Sequence, residues 1–350
     1  MNEVTKIVPG PDGPNGRPVT KPDDWASDQE VRWCPGCGDY AILKAVQRTM
    51  PELGAEPHNT VFISGIGCSS RFPYYMETYG FHTIHGRAPT IATGVKLANP
   101  ELDVWIITGD GDGLSIGGNH MLHLVRRNLD CQVLLFNNEI YGLTKGQYSP
   151  TSRTGTRSPT SPAGSLERPV KPCAFALGAG GRFVARTIDT AQKHMPEVLK
   201  RAYTHKGTSF VEIYQNCVVY NDGAFEQFTD KKSAAVTQIW LEHGKPMLFA
   251  NGTKGLHLNR ESLRVEVVDV VDGDVSEVIV HDETNKAVAS MLIDMPFPEF
   301  PVALGVLYCD PATSFDQAME EQAERVVGDK VADFNALLRR GQSWEVKGER

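Results

Sequence analysis

The 350-residue sequence lacks a basic block, and its formal net charge is -8, which argues against nucleic acid as a main partner. It lacks a charged-then-apolar N-terminal signal and any apolar run long enough to span a bilayer, so a cytoplasmic protein with no membrane partner is expected. It has no internal repeat. It has no Gly-x-Gly-x-x-Gly fingerprint, so hydride transfer to NAD is not expected. A second Cys-x-x-Cys is also missing, which leaves zinc without the usual two ligand pairs. The cysteines number seven, an odd count; without a secretion signal they point to a reducing compartment and to metal binding more than to disulfides.

What is present is an α/β pattern. The 41% hydrophobic content supports a sizeable core. Apolar strands are expected at Val61–Ile63, Val104–Ile107, Val133–Phe136, Phe183–Val184 and Phe210–Ile213, and helices from Asp39 to Met50, Met121 to Arg127 and Thr190 to Tyr203. Asp39 is expected to cap the first helix. Strands alternating with helices imply a mostly parallel sheet covered by helices on both faces. Residues 1–24 read as a Pro- and Gly-rich leader and 25–221 as the main domain. Residues 222–350 read as a C-terminal extension packing on that domain or on a partner. Residues 142 to 172 read as one long loop, and such a loop in a compact domain is usually functional.

Two strand ends carry chemistry. Gly109-Asp110-Gly111 follows the second strand, where glycines let peptide N–H groups approach phosphate oxygens and Asp110 offers a hard oxygen to Mg²⁺. Asn137-Asn138 closes the next strand, one helix and one strand later, so both can face the same crevice. This pairing resembles the thiamine-diphosphate signature, and the resemblance implies Mg²⁺ held by Asp110, the Asn138 side chain and the Ile140 carbonyl.

Cys34-Pro35-Gly36-Cys37 has metal-chelate spacing, and zinc, a redox dithiol and an iron–sulfur cluster all remain open on that motif alone. Cys68 and Cys217 lie at strand ends beside the expected crevice. Cys131, Cys173 and Cys309 read as small buried side chains. The segments Trp33–Asp39, Gly65–Arg71, His85-Gly86-Arg87, Gly109–Asp112 and Tyr141–Gln147, in this order, resemble those of the beta subunit of 2-oxoacid:ferredoxin oxidoreductases across roughly residues 25 to 310.

That resemblance implies a single [4Fe–4S] cluster on Cys34, Cys37, Cys68 and Cys217; no Cys-x-x-Cys-x-x-Cys run suggests a second. It implies that Ile66, Gly67, Cys68, Ser69, His85, Gly111, Asp112, Gly142 and Leu143 line thiamine diphosphate. It implies an obligate alpha subunit that supplies the glutamate this sequence does not offer, with ferredoxin as electron acceptor and CoA as co-substrate. His85 is a candidate catalytic group. Arg71 and Lys145 are candidates for the distal carboxylate of 2-oxoglutarate, because a desolvated carboxylate needs a cationic partner. Pyruvate as substrate, a thiamine enzyme without redox chemistry, and a zinc-stabilised binding module are the competing expectations.

Overall fold

The computed structural model describes residues 20–328, 333–341 and 344–348. Most of the expected leader, residues 1–19, therefore lies outside the described residues. The chain divides into two units, one reaching Asp316 and one starting at Gln317. The second holds most of a helix at Phe315–Val327 and a short helix at Phe334–Leu338, capped by the Asp333 carboxylate at the N–H groups of Asn335 and Ala336.

The first unit is built on an eight-stranded sheet. Its strands are β1 (Thr60–Ser64), β2 (Tyr79–His82), β3 (Asp103–Gly109) and β4 (Cys131–Asn137), then, past the hairpin of β5 (Ile140–Tyr141) and β6 (Gln147–Tyr148), β7 (Phe183–Ile188), β8 (Thr208–Tyr214), β9 (Gln238–Leu241) and finally β13 (Val302–Cys309). A separate antiparallel sheet joins β10 (Leu248–Phe249), β11 (Lys254–Asn259) and β12 (Arg264–Asp269). The large sheet runs β2-β1-β3-β4-β8-β7-β13-β9. Its pairs are parallel except β13 against β7.

The sheet is buried on both faces, so its central strands are apolar without interruption; all seven residues of β4 are buried. Alternation divides them between two cores. Val61, Ile63, Ile106, Val133 and Leu135 enter one, and Phe62, Trp105, Ile107, Leu134 and Phe136 enter the other. The first core is covered by α2 (Ala88–Ala98), α4 (Gly118–Arg127), α5 (Pro172–Gly178) and a helix at Lys286–Asp294. The second is covered by α1 (Asp39–Glu52) and α6 (His194–Thr204). This is the expected α/β architecture: a mostly parallel sheet between two helical layers.

Local details depart from the sequence reading. A five-residue helix α3 (Asp110–Leu114) begins at the Gly-Asp-Gly turn itself, although two of its residues are glycine. Asp39 is not the cap of α1 but its first residue, with a buried carboxylate; Gly38 holds the cap position and makes no side-chain bond. The helix expected from Thr190 starts at His194, because Thr190–Lys193 turns tightly and the Gln192 amide donates back to the Asp189 carbonyl at 2.7 Å.

Candidate active site

The parallel strands β1, β3 and β4 deliver their C-terminal ends to one crevice, where a sheet of this kind binds ligands. Its walls include Ile66, Gly67, Cys68, Ser69, His85, Asp110, Gly111, Asp112, Asn138, Ile140, Gly142 and Leu143. Glycine is required at 111, since a Cβ there would lie 2.3 Å from the Tyr141 ring. The Tyr141 hydroxyl in turn donates to the Gly111 carbonyl at 3.0 Å, fastening the hairpin over the turn.

Asp110 is buried, and its carboxylate accepts from the Ser149 and Thr151 hydroxyls, both at 2.5 Å. Burial pushes its pKa up to about 6, with these hydroxyls and nearby N–H groups working against the shift. Asn138 donates its amide N–H to Gln215 Oε1 at 2.8 Å, which turns Asn138 Oδ1 toward the Ile140 N–H at 3.1 Å. A buried carboxylate, an amide oxygen and the Ile140 backbone thus face one crevice. The carboxylate and amide oxygens are hard donors of the kind Mg²⁺ takes.

Asp112 ties the crevice together. Its buried carboxylate accepts from the N–H groups of Ile66 at 3.1 Å and Gly86 at 2.9 Å, from Thr108 Oγ1 at 2.7 Å, and stands 3.1 Å from His85 Nδ1. Loops leaving β1, β2 and β3 are held by that one group. Gly65 permits it, since a Cβ there would lie 2.0 Å from Asp112 Oδ2. With Nδ1–H donated to the carboxylate, His85 keeps Nε2 free to accept or deliver a proton.

Cys34, Cys37, Cys68 and Cys217 line a second cavity of about 240 Å³. The Cys37 N–H donates to the Cys34 carbonyl at 3.0 Å in a turn that uses a left-handed Gly36. The Trp33 indole donates to the Cys68 carbonyl at 2.7 Å. A Cβ placed on Gly142 would sit 3.5 Å from both the Cys68 and Cys217 sulfurs. Among the described residues, no three His, Cys, Asp or Glu side chains converge as a single metal ion would require. Four cysteines lining one cavity are the ligand set that an iron–sulfur cluster takes. Burial, and then the Asp39 carboxylate, push the Cys37 thiol up and the Cys68 thiol up to about 12, so both are protonated at neutral pH. Cys131 and Cys173 lie in the core, and Cys309 ends β13.

Of the two candidate substrate cations, Arg71 lines the cysteine cavity, with Nε donating to the Tyr75 hydroxyl at 2.9 Å. Lys145 does not come to either cavity. It is exposed, in left-handed backbone at the β5–β6 turn. Four participants escaped the sequence reading. Ser149 and Thr151 bind Asp110 from inside the long loop, and nothing in that Ser- and Thr-rich stretch distinguishes them. Asp39 lines the crevice with a buried carboxyl whose pKa is pushed up to about 7, by burial and then by Asp189, with the Cys37 thiol working against the shift. Gln215 bonds to both Asn138 and Cys37.

Comparison with known proteins agrees with this geometry. Residues 65–213 match the family described as thiamine pyrophosphate enzyme, C-terminal TPP binding domain. The chain is 53% identical to a 2-oxoglutarate oxidoreductase subunit KorB of Mycobacterium tuberculosis, over 75% of this chain and 70% of that one. It is 35% identical to a 2-oxoglutarate synthase subunit KorB of Methanocaldococcus jannaschii, over 77% of this chain and 89% of that one. A solved 2-oxoglutarate:ferredoxin oxidoreductase from Magnetococcus marinus, with 2-oxoglutarate, coenzyme A and succinyl-CoA bound, superposes with a TM-score of 0.75 at 34% identity, covering 93% of this chain and 97% of that one. The chain belongs to the beta subunits of the 2-oxoacid:ferredoxin oxidoreductases, and so to the oxidoreductases.

Proposed function

We propose that this chain catalyses, with an alpha subunit, the oxidative decarboxylation of 2-oxoglutarate with CoA to succinyl-CoA and CO₂, passing two electrons through one [4Fe–4S] cluster to ferredoxin. One observation carries the proposal: the cavity ringed by four thiols shares Cys68, Asn138, Gly142, Leu143 and Gln215 with the crevice of the Gly-Asp-Gly turn. A thiamine enzyme without redox chemistry has no use for that adjacency, and a zinc module has no use for the crevice. Thiamine diphosphate supplies the electron sink that loss of CO₂ from a 2-oxoacid requires.

The chain's own residues supply the rest. Asp110, Asn138 and the Ile140 carbonyl would hold Mg²⁺ at the diphosphate, and the Gly111 turn lets the backbone approach it. Ile66–Ser69, Asp112, Gly142 and Leu143 line the cofactor. His85, fixed by Asp112, handles a proton at Nε2. Arg71 offers its guanidinium to the distal carboxylate of 2-oxoglutarate, which favours that substrate over pyruvate. Among the described residues lining the crevice there is no glutamate, which supports an alpha subunit supplying one. The test is turnover by the chain purified with and without that subunit. The complex is expected to form succinyl-CoA while reducing ferredoxin, and the isolated chain is expected to be inactive; CoA-dependent turnover by the single chain would refute the division of labour.

A further inference from the structure

Gln215 follows β8 and is buried at the wall common to the two cavities. Both ends of its amide are bonded. Nε2 donates to Cys37 Sγ at 3.2 Å and to the Asn216 carbonyl at 2.6 Å. Oε1 accepts from Asn138 Nδ2 at 2.8 Å. These partners fix its orientation, because a flipped amide would set its oxygen against the sulfur and the carbonyl and its NH₂ against the Asn138 NH₂. The same bond fixes Asn138 with its own oxygen turned away from Gln215, toward the Ile140 N–H.

We propose that Gln215 is a positioning residue that raises the reduction potential of the cluster at Cys37 and couples that potential to occupancy of the thiamine–Mg²⁺ site through Asn138. The inference rests on the function proposed above. An N–H aimed at a cluster sulfur stabilises the extra negative charge of the reduced state, so it favours reduction. A cation drawing on Asn138 Oδ1 polarises the Asn138 N–H that Gln215 accepts, and Gln215 in turn donates more strongly to the sulfur. Loading the cofactor therefore makes the cluster a better acceptor when there are electrons to receive. By reciprocity, reduction of the cluster alters affinity for the cofactor.

The experiment uses the complex with its alpha subunit, purified anaerobically, as wild type, Gln215→Met and Gln215→Leu. Iron and sulfide are counted, and the cluster midpoint is titrated by electron paramagnetic resonance with and without thiamine diphosphate and Mg²⁺. Methionine preserves the length of the side chain without the donor, so this variant carries the test if leucine disturbs the fold. Both variants are expected to keep the cluster. The ratio of reduced to oxidised cluster at a fixed potential should fall about tenfold, about 59 mV for one electron. The difference in midpoint between cofactor-loaded and cofactor-free complex, present in wild type, should vanish. Iron-free wild type would refute the proposed function itself. A cluster-bearing wild type with unshifted midpoints in the variants would overturn only the role of Gln215. Loss of iron from both variants would overturn it too, since a tuning residue is dispensable for holding the cluster.

Discussion

At the residue scale, function depends on which side chains face the two cavities. Cys34→Ser and Cys217→Ser should bleach the chain and abolish electron output, whereas Cys131→Ser and Cys173→Ser, in the core, should keep the colour; absorption spectra of the purified variants decide, and the reverse pattern contradicts the ligand set. Asp110→Ala removes the charged member of the oxygen set, so calorimetry should find thiamine-diphosphate affinity collapsed. Arg71 and Lys145 now separate. A charge-assisted hydrogen bond contributes about 1.5–3 kcal/mol, and about 1.4 kcal/mol is tenfold. Arg71→Met should therefore lower kcat/KM for 2-oxoglutarate roughly ten- to hundredfold relative to pyruvate, while Lys145→Met, at an exposed turn, should leave that ratio nearly unchanged. Equal losses on both substrates in the Arg71 variant would place its charge in the shared chemistry instead.

At the scale of elements, strands β1, β3, β4, β7 and β8 were legible because a parallel sheet buried on both faces writes itself as short apolar runs, as in Val133–Phe136, whereas β2 was not read and β9 and β13 of the same sheet fell in the expected C-terminal extension. The crevice was legible because glycines and carboxylates at strand ends have few other uses. Helices α3 and α5 were not legible: Asp-Gly-Asp-Gly-Leu carries no 3.6-residue period, and seven residues from Pro172 are too few to display one. Ser149, Thr151 and Gln215 were hidden for another reason, since their roles come from partners 39, 41 and 77 positions away. Asp112 illustrates what such partners do, because groups from the loops after β1 and β2 and from β3 itself converge on it. Asp112→Ala would strand buried donors, at a cost of about 3 kcal/mol or more. A marked fall in Tm together with weakened thiamine-diphosphate binding is expected, and an unchanged Tm would show that the loops hold themselves. Helix α6 carries two acid-sensitive groups at its ends. Burial pushes His194 and His205, near its two ends, from 6.5 down to about 4. With folded values below unfolded ones, their share of stability is present above about pH 6.5 and is lost as pH falls toward 4. His205→Phe, against Phe183, should flatten the fall of Tm between these limits; superimposable wild-type and variant profiles would exclude the histidine as a cause.

At the scale of the whole molecule, one sheet carries the diphosphate crevice on its strand ends and the thiol cavity beside it, with Gln215 and Asn138 in the shared wall. No described helix is long and apolar enough to cross a membrane. Under the proposed function, this arrangement serves to place an electron acceptor beside the carbon that loses CO₂, so that electrons leave without a hydride carrier. The most direct test is to mix the anaerobic complex with 2-oxoglutarate, thiamine diphosphate, Mg²⁺ and CoA and record its visible absorption and paramagnetic resonance spectra in one turnover. The cluster is expected to bleach and a reduced-cluster signal to rise as CO₂ is released, with both lost in Cys217→Ser. Release of CO₂ and succinyl-CoA from the wild-type complex with no change in the cluster, or a chain that carries zinc in place of iron, would contradict the proposed function.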